Sequence, residues 1–202
     1  MLKKVKEHWL YKLAFEDDSF FGTVVHLLVA FIIIKYLVYP VLGFVLGTQY
    51  PIVAVVSCSM DHEAGFEKWW QSPSIKGTQE DFYSSYNITK QDFLRFPFKR
   101  GFWKGDLMVL GSPKNAKTGD VIVFFSKYTS QPIIHRVIAK NDEFITKGDG
   151  NNAPDPLMDR ASKEQVVGKA LLRVPFAGWL KVGLIKGICL FTNSEVCKAQ
   201  TC

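Results

Sequence analysis

The sequence predicts a mostly β fold. It reads as a small antiparallel, barrel-like domain behind an N-terminal transmembrane helix, with an α-helical subdomain inserted into it. Three observations carry this. A long uncharged apolar run lies near the N-terminus. Short β-branched runs recur through the second half, separated by Gly, Pro, Asn and Asp turns. An aromatic-rich stretch between them carries helix-start signatures. The segments are 1–18 (N-terminus), 19–46 (membrane anchor), 47–60 with 105–180 (β domain), 61–104 (helical insertion) and 181–202 (C-terminal tail).

The 202 residues suffice for one domain of ordinary size plus an anchor. Apolar residues make up 48% and charged residues 22%, which excludes disorder as an overall description. A mean hydropathy of +0.05 fits one concentrated apolar segment on an otherwise water-facing body. The net charge of +6 suits nucleic acid or an anionic membrane. No RNP, zinc-finger or helix-turn-helix pattern is present, so a nucleic-acid partner is not expected. The four cysteines (Cys58, Cys189, Cys197, Cys202) form no CxxC pair, which argues against a structural zinc site.

Phe20 to Ile34 carries no formal charge, Lys35 interrupts, and Tyr36 to Met60 is again uncharged. A spanning helix needs about 20 mostly apolar residues. Counted from Phe20, the span ends near Tyr39, just before Pro40, and Lys35 can snorkel towards the headgroups. Lys3, Lys4, Lys6 and Lys12 precede the span, and no basic residue follows Lys35 until Lys68. This asymmetry puts the N-terminus in the cytoplasm and the bulk of the chain outside, as a single pass. The alternative is a cleaved signal peptide ending at Val45-Leu46-Gly47, although its apolar core would be unusually long.

Ile52 to Val56 reads as a buried strand. Leu107 to Leu110, Val121 to Phe125, Ile133 to Ala139, Glu143 to Thr146 and Val166 to Val174 follow as further strands. Turn clusters such as Gly111-Ser112-Pro113, Thr118-Gly119-Asp120 and Gly148-Asp149-Gly150-Asn151 separate several of them. This spacing predicts a closed or nearly closed antiparallel barrel. Within 61–104, Thr78-x-x-Asp81 and Thr89-x-x-Asp92 resemble capping boxes. The aromatics there form either a small core of their own or a surface for a membrane interface or substrate cleft. The stretch Leu180 to Phe191 is too short and interrupted for a second span. It is read as an interfacial segment or as packing on the barrel. Cys197 and Cys202 fall on the outer side, where a disulfide can persist. Asn87-Ile88-Thr89 is an N-glycosylation pattern on the same side.

Nucleophilic hydrolysis needs a hydroxyl or thiol, a base near neutrality and a group that orients the base. Ser59 follows a buried strand where the chain must turn, so both its hydroxyl and nearby amide N–H groups can be aimed at one point. Ser57 shares its face and can add a donor to an oxyanion hole. An ordinary polar strand end has the same pattern. His8 precedes the span, His26 falls within it and His62 follows the serine turn. His135 sits in Ile133-Ile134-His135-Arg136-Val137, and a satisfied core histidine would look alike there.

The motifs Ser57-Cys58-Ser59-Met60, Gly105-Asp106-Leu107-Met108-Val109-Leu110, Gly119-Asp120-Val121-Ile122-Val123-Phe124, Ile133-Ile134-His135-Arg136-Val137 and Thr146-Lys147-Gly148-Asp149 occur in this order. The series resembles the type I signal peptidases, specifically the archaeal and endoplasmic-reticulum branch, which uses His where bacterial relatives use a Lys base. Each motif is weak alone; the ordered set behind an anchor is specific. The resemblance implies a membrane-anchored serine endopeptidase that cleaves N-terminal signal peptides from exported preproteins through an acyl-enzyme. It implies Ser59 as nucleophile and His135 as general base. The triad acid falls on Asp155, six residues after Asp149 without a gap, with Asp149 a structural or orienting acid. Gly150 and Pro156 depart from the endoplasmic-reticulum pattern; a gap at Gly150 would move the orienting position to Pro156, with Asp155 beside it. Oxyanion donors would be the Ser57 hydroxyl and the Ser59 N–H. The resemblance implies no metal or organic cofactor. The partners it implies are signal-peptide-bearing preproteins and the lipid bilayer, with the secretion translocon as a further candidate. Cleavage should then slow below about pH 6.5, the reference value for histidine; an alkaline profile would point to a Lys base such as Lys147. Two competing readings are a self-cleaving repressor-type peptidase and a catalytically silent membrane-anchored β-domain acting as a subunit or adhesion module.

Overall fold

A computed structural model describes residues 19–189 of the chain. The chain divides into two compact units, Met1–Val45 and Leu46–Cys202.

In the first unit, α1 (Phe20–Ile33) starts at Ser19, whose side chain accepts the Gly22 N–H at 3.0 Å. A π-helical turn, Ile34–Val38, leads into α2 (Tyr39–Leu46). The expected stop before Pro40 is therefore not found. Proline lacks an N–H, and its ring crowds the carbonyl four residues earlier. Widening the preceding turn relieves that conflict, and the Tyr39 N–H reaches back to the Ile34 carbonyl. The result is one apolar helix of 27 residues, Phe20–Leu46, long and apolar enough to cross a membrane. At 1.5 Å per residue it measures about 40 Å, against a hydrocarbon core of about 30 Å. Lys35 lies 5.6 Å from the Phe31 ring and 5.2 Å from the Tyr36 ring. Gly47, at φ 67°, ends the helix in a conformation that a side chain would strain.

The second unit is built on a seven-stranded sheet in the order β1-β4-β9-β5-β6-β7-β8, with every pair antiparallel. Its strands are β1 (Ile52–Ala54), β4 (Leu107–Gly111), β5 (Val121–Phe125), β6 (Pro132–Lys140), β7 (Phe144–Lys147), β8 (Arg160–Ala161) and β9 (Val166–Val174). The register shifts between Val109 and Leu110, Val123 and Phe124, and Val137 and Ala139. Such bulges bend a sheet, and this one curls into a half-barrel with β1 and β8 as its edges. It is open where the sequence also allowed a closed barrel. Strand β5 is buried on both faces. Val121 and Val123 join Met60, Phe102 and Met108, whereas Ile122 and Phe124 join Val137, Phe144 and Val166. That two-sided burial explains its unbroken apolar run.

The insertion comprises α3 (Phe66–Trp70), the two-stranded β2 (Pro73–Ser74) and β3 (Gly77–Thr78), α4 (Gln79–Ser84) and α5 (Lys90–Phe93). Both expected capping boxes are present, Thr78 with Asp81 and Thr89 with Asp92. Each satisfies backbone donors that a helix start leaves open. Trp69, Trp70, Phe82, Tyr83, Ile88 and Phe93 form the subdomain's core together with Ile138 of β6. The aromatics are thus mainly interior, and the subdomain is fused to the sheet rather than hung from it. After β9, helix α6 (Trp179–Cys189) buries Val182 and leaves Leu180 and Leu184 exposed. Cys58 is disulfide-bonded. The bond considered between Cys197 and Cys202 lies outside the described residues.

Candidate active site

Strand β1 delivers the chain into the Ser57–Met60 turn. There the Asp61 N–H donates to the Cys58 carbonyl and the Gly150 N–H to the Ser59 carbonyl at 2.8 Å. Met60 is buried in the core, which pins the turn from beneath. The hydroxyl oxygens of Ser57 and Ser59 lie 3.2 Å apart. Both residues line a cleft of about 550 Å³ that also contains His135, Asp155 and Asp159. The sequence-predicted serines and histidine therefore share one wall system.

His135 is 8% exposed. Its Nδ1 is bonded to the carboxylate of Asp159. The Asp159 carboxylate also accepts the Thr146 hydroxyl at 3.1 Å and the Asp155 N–H at 2.7 Å. A carboxylate accepts, so Nδ1 carries the proton of the neutral ring. Nε2 is then left as the basic nitrogen. That nitrogen and the Ser59 carbonyl crowd the same backbone position. A Cβ built on Gly148 would fall 2.8 Å from Nε2 and 2.6 Å from the Ser59 oxygen. Glycine is required there by close approach, not by backbone conformation.

The carboxylate bonded to His135 is that of Asp159, not that of Asp155, which the sequence reading expected. Asp155 lines the cleft, but its side chain accepts the N–H groups of Leu157 and Met158, at 2.8 and 3.1 Å. It caps a tight turn, and it meets Asp159 through its main chain: its N–H donates to the Asp159 carboxylate, and its carbonyl accepts the Asp159 N–H at 2.9 Å. Sequence reasoning missed Asp159. The signal available was weak: an Asp four residues after an Asp-Pro turn, just before β8.

Asp149 has no bond to His135. It is wholly buried and accepts Arg136 Nε at 2.9 Å, Arg136 Nη2 at 2.6 Å, the Tyr83 hydroxyl at 3.0 Å and His62 Nε2 at 3.0 Å. Its backbone carbonyl accepts the Trp69 indole at 2.8 Å. Burial alone would raise its pKa. The Arg136 guanidinium, together with the His62 and Arg136 hydrogen bonds, outweighs that and holds the carboxyl well below the usual carboxylate range. Arg136 and His135, adjacent on β6, point to opposite faces. One serves the cleft, and the other ties the sheet to the insertion through Asp149, the Pro97 and Phe98 carbonyls and the Gly119 carbonyl.

Lys147 does not line the cleft. It is buried against the insertion, with its ammonium bonded to Gln79 Oε1 at 2.9 Å and the Gly148 carbonyl at 3.0 Å. Burial lowers its pKa to about 8, opposed by the Asp149 and Asp159 charges.

The arrangement defines a class: an antiparallel half-barrel with serine hydroxyls, an imidazole and a buried carboxylate gathered on one cleft. No protein-family model matches the chain. Curated relatives do. The chain is 31% identical over 94 residues to the "Signal peptidase complex catalytic subunit SEC11" of Metarhizium robertsii, covering 40% of this chain and 55% of that one. To the same-named subunit of Debaryomyces hansenii it is 36% identical over 101 residues, covering 43% and 60%. To that of Plasmodium falciparum it is 30% identical over 93 residues, covering 41% and 50%. The chain thus spans about half the length of the curated relatives it matches.

Proposed function

We propose that this chain is the catalytic subunit of a signal peptidase, a membrane-anchored serine endopeptidase that removes signal peptides from exported preproteins. The observation that carries the reading is His135. One ring nitrogen is committed to Asp159, and the other lies, like the Ser59 carbonyl, against Gly148, inside a cleft lined by Ser59, His135 and Asp159. The likeness to signal peptidase catalytic subunits supports the same reading.

His135 Nε2 takes the Ser59 proton as the hydroxyl oxygen attacks the scissile carbonyl. Asp159 fixes the ring and stabilises its charge. The Ser57 hydroxyl and the Ser59 N–H receive the developing oxyanion. Imidazolium then protonates the departing amine, and water, activated by the same nitrogen, releases the signal peptide from Ser59. The acid assigned here is Asp159; Asp155 and Asp149 hold the surrounding chain.

The helix Phe20–Leu46 would cross the membrane once with the N-terminus cytoplasmic, leaving the β domain on the far side; in a eukaryote this is the endoplasmic-reticulum lumen. Tethering raises the effective concentration of the cleft near emerging cleavage sites. Partners would be the other subunits of a membrane complex and the secretion translocon.

Purified full-length protein in detergent should cleave a preprotein and be labelled at Ser59 by a serine-reactive probe. Loss of both in Ser59→Ala is the expected result. Undiminished cleavage by Ser59→Ala would reject the mechanism, and a silent scaffold would show neither labelling nor cleavage.

A further inference from the structure

A second cavity, of about 860 Å³, opens beside the serine turn. Its walls carry the carboxylates of Asp61, Glu63 and Glu67, the cations Lys99 and Arg100, and Trp103. His62 also lines it and is 2% exposed. Its Nε2 donates to Asp149, an ionised acceptor, so in the neutral ring Nδ1 presents a lone pair. That Nδ1 is buried and has no hydrogen-bond partner. Asp61 Oδ1 is buried in the same condition. Two unsatisfied acceptors therefore line one cavity, and unpaired buried acceptors are costly unless a donor arrives.

Charge sharpens this. Glu67 is already paired with Lys90 at 2.5 Å. Lys99 and Arg100 are exposed, where water and salt screen them, whereas the Asp61 and His62 acceptors are withdrawn from water. Burial raises the Asp61 pKa, with a Trp103 hydrogen bond acting against it. Position supplies the occupant. Asp61 follows Ser59 by two residues, a chain distance of at most about 7 Å. The serine turn thus contributes Ser59 to the cleft and, two residues on, Asp61 to this cavity.

We propose that this cavity binds an ammonium group on the mature-chain side of the cut, with Asp61 and His62 as its acceptors and Glu63 as the outer carboxylate. The inference rests on the peptidase reading for the identity of the peptide. The ammonium is either the α-amino group freed by cleavage or a lysine close behind it.

The test uses full-length Ser59→Ala protein in detergent, which binds without turnover, and isothermal titration with three tetrapeptides. One has a free amino terminus and no lysine, one is its N-acetylated form, and one is N-acetylated with lysine at the second position. The free-amine or the lysine peptide should bind roughly five-fold more tightly than the acetylated lysine-free one. Whichever does identifies the source. The preference should vanish in Asp61→Asn and shrink in Glu63→Gln, whose exposed site spares the fold. Equal binding of all three peptides, no binding of any, or an unchanged preference in both variants overturns the proposal. If the preference stands while wild-type protein cleaves no preprotein, the peptidase reading fails and the ammonium site survives it.

Discussion

The Asp159 carboxylate is shared between His135 Nδ1 and the Asp155 N–H, the latter at 2.7 Å, so one side chain joins the β6 imidazole to the turn before β8. This assigns different work to two aspartates four residues apart. Asp159→Asn keeps the volume but offers Nδ1 a mixed donor and acceptor, so kcat should fall roughly 10³–10⁴-fold with KM little changed. Asp155→Asn retains the main-chain N–H and should cost less than about ten-fold. Equal losses in steady-state assays would return the orienting role to Asp155.

Gly148 offers a sharper probe of the cleft. A methyl group there would sit 2.8 Å from His135 Nε2 and 2.6 Å from the Ser59 carbonyl. Gly148→Ala should therefore displace the imidazole from the serine and abolish cleavage while the protein stays folded by circular dichroism. Full activity would mean that these two groups need not meet.

Ser57 and Ser59 have hydroxyls 3.2 Å apart but separate proposed tasks. Ser57→Ala should lower kcat about 10²–10³-fold, as loss of an oxyanion donor does, while Ser59 still reacts with a serine-directed probe. Ser59→Ala should lose both. Loss of labelling in Ser57→Ala would show that Ser57, not Ser59, is the reactive hydroxyl.

Acid should unfold the protein through Asp149. Its carboxyl is held below the unfolded value of about 3.9. The stabilisation is complete above that value and is lost as pH falls towards and through the folded one. Melting temperature measured from about pH 6 to pH 2 should drop steeply below about pH 4. Asp149→Asn should be strongly destabilised at neutral pH, because Arg136 would be left buried beside a neutral partner. A flat acid profile would contradict the hub.

Lys147 should matter for stability and not for proton transfer. The unfolded side chain holds its proton to about 10.5 and the folded one to about 8, so stability should rise as pH climbs between them. Lys147→Met should leave the pH dependence of cleavage where it is in the wild type. A shift of that profile would bring Lys147 back as a base.

Much of the architecture was legible because it depends on local periodicity. Strand β5 at Val121–Phe125 and β9 at Val166–Val174 match the runs read from the sequence, and both threonine capping boxes formed. Serine 59 and histidine 135 stood out through the ordered motifs around them. Asp159 did not, because no spacing rule links β6 to a residue beyond an irregular turn. The strand at Arg160–Ala161 and the Pro73–Thr78 hairpin are too short for any periodicity to register.

The sequence alone fixes the long apolar helix, the alternation of strands and turns, and the serine and histidine on which the chemistry is proposed to turn. Those are properties of neighbouring residues, written in hydropathy and propensity. The tertiary structure decided which carboxylate meets the imidazole, that Asp149 locks the insertion to the sheet, and that His62 and Asp61 face a cavity with acceptors unpaired. These are contacts between segments far apart in the chain, such as Tyr83 with Asp149 across 66 positions. Only packing brings such groups within bonding distance, and only burial gives their charges and lone pairs their strength.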